Sequence, residues 1–312
     1  MEMGSTNSMA IFFLLKIKEK LRKGKFQFKI RLIYLYQERI LIQSNYLKRK
    51  VKKVKHLVFI ECKKALNKRF FIISLSLIFL PLIIILPIMN GSYVFHRAID
   101  VHAQLLTNSP IPLLFPILLV PLYAGSYANE KKDNYLQYVK PRAILSDYVL
   151  AKGFVNAVLT FVVVFLMISI PFLFIQYIDP LIGYIHYETE FLNPVSIGTF
   201  EVVAQKSVLL YGIVYSFWVG INGALYMTIA YLLTICLKNK FVALSMPFLW
   251  WFVMNFVTAV LRIERFSPGC TVFPFSITAQ PIWTIFVPFI VLILIMATLI
   301  VYIKKTRKVW DD

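Results

Sequence analysis

Cysteines and acids are scarce in this sequence: three cysteines and 15 Asp+Glu stand against 34 Lys+Arg in 312 residues. Cys62, Cys236 and Cys270 are scattered, with neither the spacing of a metal site nor the density of a disulfide framework. The motif G-x-x-x-x-G-K-[ST], whose backbone N–H groups cradle phosphates, does not occur, which excludes ATP hydrolysis by that route. H-E-x-x-H, the helical zinc site of a metalloprotease, is also missing. Of the four histidines only His96 and His102 are close, with Asp100 between them; with no third neutral ligand nearby they read as a solvated loop rather than a metal site.

Charged residues make up 16% of the chain, against roughly a quarter in a soluble domain. None sits in the centre of the long apolar runs, where a proton-coupled carrier places ionisable groups. Sodium coupling through backbone carbonyls stays open. A membrane-embedded enzyme would need paired carboxylates or a His/Glu cluster in those runs, and they hold none.

What the chain does have is apolar length. Hydrophobic residues make up 59% of the chain and mean hydropathy is +0.71. A helix needs roughly 20 apolar residues to cross about 30 Å of hydrocarbon. Runs of about that length predict spans over residues 70–89, 111–128, 154–175, 208–233, 241–261 and 282–303. The expected fold is all-α: a polytopic membrane protein of about six transmembrane helices.

Of the net charge of +19, residues 1–69 carry +15. Basic residues gathered before a first span read as a cytoplasmic flank lying on anionic lipid, not as a nucleic-acid footprint. The apolar patch Ala10 to Leu15 is too short for a secretory signal, and its basic residues follow it. With the N-terminus inside, inner segments hold 30 Lys+Arg and outer segments hold 4, which predicts both termini in the cytoplasm of a cell-membrane protein. The expected organisation is a basic segment 1–53, a six-helix transmembrane domain 54–305 and a short tail 306–312.

Finer patterns fill in this outline. Val54, Leu57, Val58, Cys62, Ala65 and Leu66 recur at helical spacing among lysines, predicting an amphipathic interfacial helix that runs into span one. Prolines 81, 87, 112, 116 and 121 predict kinked first and second spans. Residues 266–281 carry no charge, three prolines and a glycine, as a re-entrant or surface hairpin would. Asn156, Asn222 and Asn255 are expected to bridge helices. Gly212, Ser216, Gly220, Ala224 and Thr228 recur every four residues, giving a helix-packing face or a subunit interface.

The segment 125–152 is the most informative stretch. Charged residues, a break at Pro141 and an amphipathic return through Ile144, Tyr148 and Val149 suit a short helix lying along the inner membrane face. Here the sequence resembles the membrane subunits of type-2 ABC transporters, with Gly125, Glu130, Pro141, Arg142 and Lys152 at the matching positions. The likeness covers residues 54–305, and its usual Gly-Thr-Leu-Glu sequence is replaced by Lys132-Asp133-Asn134-Tyr135. It implies a permease subunit of an ATP-driven exporter for a hydrophobic, peptide, drug or lipid-like substrate. A separate ATP-binding subunit, carrying ATP and Mg, would dock at Glu130, Lys132, Pro141, Arg142, Asp147 and Lys152. The permease would pair with a copy of itself or with a related one, and this chain would hold no cofactor and be no enzyme. A stand-alone carrier or channel and a non-transporting membrane anchor are the other classes compatible with the composition.

Overall fold

The computed structural model describes residues 51, 53–89, 95, 97–107, 109–141, 144–187, 200–274 and 280–306. The basic segment before residue 51, Arg142, His96, the outer-loop acids Glu188 and Glu190, and the tail beyond Thr306 lie outside the described residues. The chain divides into two compact units, Met1–His56 and Leu57–Asp312. Of the first, Val51 and Lys53 to His56 are described, and they are helical.

The described residues of the second unit are mostly helical. No β-strand occurs among the described residues, only an isolated parallel bridge between Phe95 and Tyr187. In chain order the helices are α1 (Lys53–Ala65), α2 (Lys68–Met89), α3 (Ala98–Thr107), α4 (Ile111–Leu119), α5 (Ser126–Lys132) and α6 (Leu136–Val139). They continue with α7 (Leu145–Leu173), α8 (Asp179–Ile182), α9 (Glu201–Lys206), α10 (Val208–Cys236), α11 (Lys240–Val260), α12 (Pro268–Val272) and α13 (Trp283–Thr306). Four stretches are long and apolar enough to cross a membrane: Leu145–Ile182, Val208–Cys236, Lys240–Val260 and Trp283–Thr306. A fifth stretch is long and apolar enough when Lys53–Ala65 and Lys68–Ile84 are taken together, and these two helices are bent by 74°. At that bend Asn67 caps α2, its Oδ1 accepting the Phe70 N–H at 2.9 Å.

The run expected to form one span over 111–128 is not a continuous helix. Its regular part, α4, has 9 residues, about 13 Å of rise, and the turn 120–125 separates it from α5. Pro121 is the cause. It has no N–H to give the Ile117 carbonyl, and the Val120 N–H takes that carbonyl instead at 3.3 Å.

The longest stretch, Leu145–Ile182, has 38 residues, about 55 Å at 1.5 Å each. That exceeds the hydrocarbon thickness, so it must tilt or project. It passes through a π-turn at Phe174–Ile178, just after Pro171, and stops where Gly183 adopts φ 69°. Asp179 fastens this end, accepting the Ile185 N–H at 3.2 Å and the Tyr187 hydroxyl at 3.1 Å.

At the centre lies α10, which packs against α7 along much of its length and also touches α4, α9, α11 and α13. Small residues let the two helices approach. A Cβ on Gly212 would fall 2.1 Å from the Phe172 ring, and one on Gly220 would lie 3.1 Å from the Phe161 ring. Ser216 turns its hydroxyl back to the Gly212 carbonyl at 2.7 Å, and Thr228 does the same to Ala224. On the far side Tyr226, Trp251, Phe115 and Phe273 join α10, α11, α4 and the segment after α12 through edge-on and tilted rings 5.1 to 5.7 Å apart. Outward faces of α11 and α13 remain apolar, with Phe241, Phe252, Phe256, Ile290 and Leu294 exposed, as lipid contact requires.

The three span asparagines do different work. Asn156 bridges α7 to α10 by donating to the Met227 carbonyl at 3.0 Å, whereas Asn222 donates within its own helix to Trp218. Asn255 anchors the proline-rich segment: its Oδ1 accepts the Gly269 N–H at 2.8 Å while its Nδ2 donates to the Trp251 carbonyl. The Trp218 indole adds a second tie, to the Thr271 carbonyl at 2.8 Å. Asn255→Ala should leave the Gly269 N–H without an acceptor, at a cost of about 1–3 kcal/mol. The expected readout is faster maleimide labelling of half-buried Cys270, with Cys62 as the internal reference; unchanged labelling of Cys270 would show that Asn255 does not hold the segment.

Candidate functional site: a buried ion cluster

Four charged side chains meet at one end of the bundle. Lys152 lies two turns into α7 and is completely enclosed. An unpaired ammonium cannot be buried there without a cost of several kcal/mol, and two carboxylates answer it. Glu61 comes from α1 and forms an ion pair with Lys152. Glu130 comes from α5 and lies 3.0 Å from the same ammonium. Lys64, one turn after Glu61, pairs with Glu130 from the solvent side, so two cations and two anions balance.

Aromatic side chains complete the cluster. The Tyr148 hydroxyl donates to Glu130 Oε2 at 2.8 Å, and the Tyr123 hydroxyl donates to Glu61. Lys152 lies 3.3 Å from the Tyr123 oxygen and within 5.1 and 5.5 Å of the ring centres of Tyr123 and Tyr148. Lys64 sits 4.2 Å over the Tyr135 ring, a cation–π contact. Beneath the cluster the Tyr231 hydroxyl donates to the Val149 carbonyl at 2.8 Å. Gly153 lets α7 close on that ring, since a Cβ there would stand 3.0 Å from it.

Burial by itself would raise the Glu130 carboxyl pKa. The Lys152 charge outweighs it, with hydrogen bonds from Lys64, Lys152 and Tyr148, and the group is held below its ordinary 4.5. Because the folded-state value of Glu130 is depressed, its stabilising contribution is present above 4.5 and is lost as pH falls through the folded value. Glu130→Gln should flatten the acid limb of a thermal-unfolding profile taken from neutral pH to below 4.5; a variant whose acid limb matches the parent's would remove Glu130 from this role.

The arrangement ties three helices to one another. Each charge is engaged by a neighbour, and no group of three His, Cys, Asp or Glu able to hold a metal occurs among the described residues. What the ions do is lock α1, α5 and α7 to one another.

Of the residues singled out from the sequence, Glu130 and Lys152 come together in this cluster. Asp147 is buried in the first turn of α7, where a carboxylate meets the positive end of the helix. Lys132 and Pro141 are on the exposed surface, and Arg142 lies outside the described residues. Sequence reasoning missed Glu61, Tyr123 and Lys64. A signal existed for Glu61: it falls on the stripe Leu57, Val58, Cys62 and Ala65, the sole acid of that basic helix and on its apolar side.

No family model matches this chain, and neither a curated protein nor a solved structure does.

Proposed function

We propose that this chain is the transmembrane permease subunit of an ATP-driven exporter of the ABC type. The observation that carries this reading is the rooting of α5 and α6. The two short helices present Lys131, Lys132, Asp133, Tyr135, Tyr138 and Lys140 to solvent, and their base is pinned by Glu130 to α1 and to the start of α7. A partner that moves α5 would therefore move a membrane-crossing helix, which is what a coupling element has to do.

On this reading both termini lie in the cytoplasm and the chain crosses the cell membrane about six times. The bent helix α1 lies along the inner interface before α2 enters. The broken segment from α4 to α5 serves as the second crossing, closed by packing on α10 and α11. A separate ATP-binding subunit holds ATP and Mg and docks on α5 and α6, and the permease pairs with a copy of itself or with a related subunit. The cargo is a hydrophobic, peptide, drug or lipid-like molecule. ATP hydrolysis belongs to the partner, so the chain itself is not an enzyme.

Affinity purification of the detergent-solubilised protein from its native cell, with mass spectrometry of co-purifying chains and an ATPase assay, tests this directly. The expected result is a stoichiometric protein with a P-loop that is lost from the Lys132→Glu/Tyr138→Ala variant, both positions being exposed, while the variant stays folded. A chain that purifies alone under mild conditions and supports no ATPase activity would be a carrier, a channel or an anchor instead.

A further inference from the structure

A cavity of about 320 Å3 opens beside the ion cluster, between the α1–α2 bend, the turn 120–125, the start of α5 and the first turn of α11. Its polar residues are Asn67, Arg69, Ser126, Asn129 and Lys240, Tyr123 also lines it, and Phe70 and Leu244 belong to its apolar wall. No carboxylate lines it. Arg69 and Lys240 thus bring two positive charges to a wall that contains no negative one.

Both charged groups of this wall are donors, and both of its amide side chains already accept a hydrogen bond. Asn67 Oδ1 accepts the Phe70 N–H, and its NH2 remains a donor. Asn129 Oδ1 accepts from the Lys240 ammonium at 2.6 Å, which leaves its NH2 and further ammonium protons. The Tyr123 hydroxyl donates to Glu61 and lies within reach of Lys152. Guanidinium, ammonium and two amide NH2 groups around one space match an oxyanion with several acceptor oxygens.

We propose that this cavity binds a phosphate-bearing anion, from the headgroup of an acidic membrane lipid or from a soluble phosphate. The volume lies at the lower end of the range for ligand pockets, roughly 300–1,000 Å3, and suits a headgroup whose acyl chains stay outside. Phe70 lies in the first turn of α2 and Leu244 in the first turns of α11, so two apolar helices flank the charged wall. The site does not depend on an ATP-binding partner and can be tested on the chain alone.

The test is native mass spectrometry and thermal unfolding of the full chain in detergent, with phosphatidylglycerol, phosphatidylcholine or inorganic phosphate added separately. Each basic residue near an anionic lipid is worth about a factor of five, so phosphatidylglycerol should be retained roughly tenfold or more over phosphatidylcholine. Arg69→Gln/Lys240→Gln should abolish the difference, while Arg69→Lys/Lys240→Arg, which keeps both charges, should preserve it and controls for folding. Stabilisation by phosphatidylglycerol alone assigns the site to lipid; stabilisation by inorganic phosphate alone, lost in the glutamine variant, assigns it to a soluble phosphate. Equal retention of the two lipids with no response to phosphate overturns the proposal, as does a glutamine variant that binds like the parent.

Discussion

Replacing Lys152 with methionine should destabilise the protein by about 3–5 kcal/mol, because it leaves two carboxylates facing each other without their shared cation. Methionine matches the lysine stem in volume, so the loss is one of charge and not of packing. Among the described residues the ion pair of Glu61 is with Lys152, while Lys64 pairs with Glu130. The substitution of Lys64 provides the contrast. Its side chain is 42% exposed, and a pair open to water is typically worth under about 1 kcal/mol. Thermal unfolding of detergent-purified variants measures both. The decisive comparison is Glu61→Gln/Glu130→Gln/Lys152→Met, which removes all three enclosed charges and should recover most of what Lys152→Met loses. If the triple variant is no better than the single one, the damage lies in shape and the ion cluster is not what holds this end together.

A second large effect is expected on the opposite stretch of the α7–α10 contact. Gly212→Val would put a Cβ 2.1 Å from one Phe172 ring carbon and 2.4 and 2.6 Å from two others. The ring cannot simply swing away, because Phe172 is buried and touches the His102 and Tyr211 rings. The two helices must part, and overpacking of this kind costs about 1–3 kcal/mol. Phe172→Leu should destabilise the parent chain yet relieve Gly212→Val, giving a coupling energy of opposite sign in a double-mutant cycle. Additive losses would mean that the ring and the glycine do not share the contact.

The four helices long and apolar enough to cross a membrane were legible because hydropathy summed over about 20 residues is robust to local error. The break within residues 111–128 was not. Hydropathy scores Pro121 as one more apolar residue, whereas the backbone registers the missing N–H, and the three prolines in that run predicted kinks without saying which one ends the helix. Glu130 and Lys152 could be picked out by resemblance, but their convergence could not, since Glu61 stands 91 positions before the lysine it meets. Glu61 also sits among lysines, where an acid reads as a solvent-facing compensating charge; only its register with Ala65 and Leu57 marks it as inward. The small-residue stripe announced a close approach and left its partner unnamed, because nothing in α10 encodes the rings of Phe161 and Phe172. For the donor-rich cavity the obstacle is similar: Arg69 and Lys240 look like ordinary flanks of two separate helices.

The ion cluster also orders events along the growing chain. Glu61 and Lys64 leave the ribosome first, Glu130 follows, and the cation that joins both acids arrives last. Until Lys152 is made, the part-exposed Lys64–Glu130 pair is what these charges offer to join α1 to α5, and Glu61 waits for its cation. The arrival of α7 is therefore the step that closes this end, and a chain stalled before it should show α1 and α5 more open to protease than they are in the full chain.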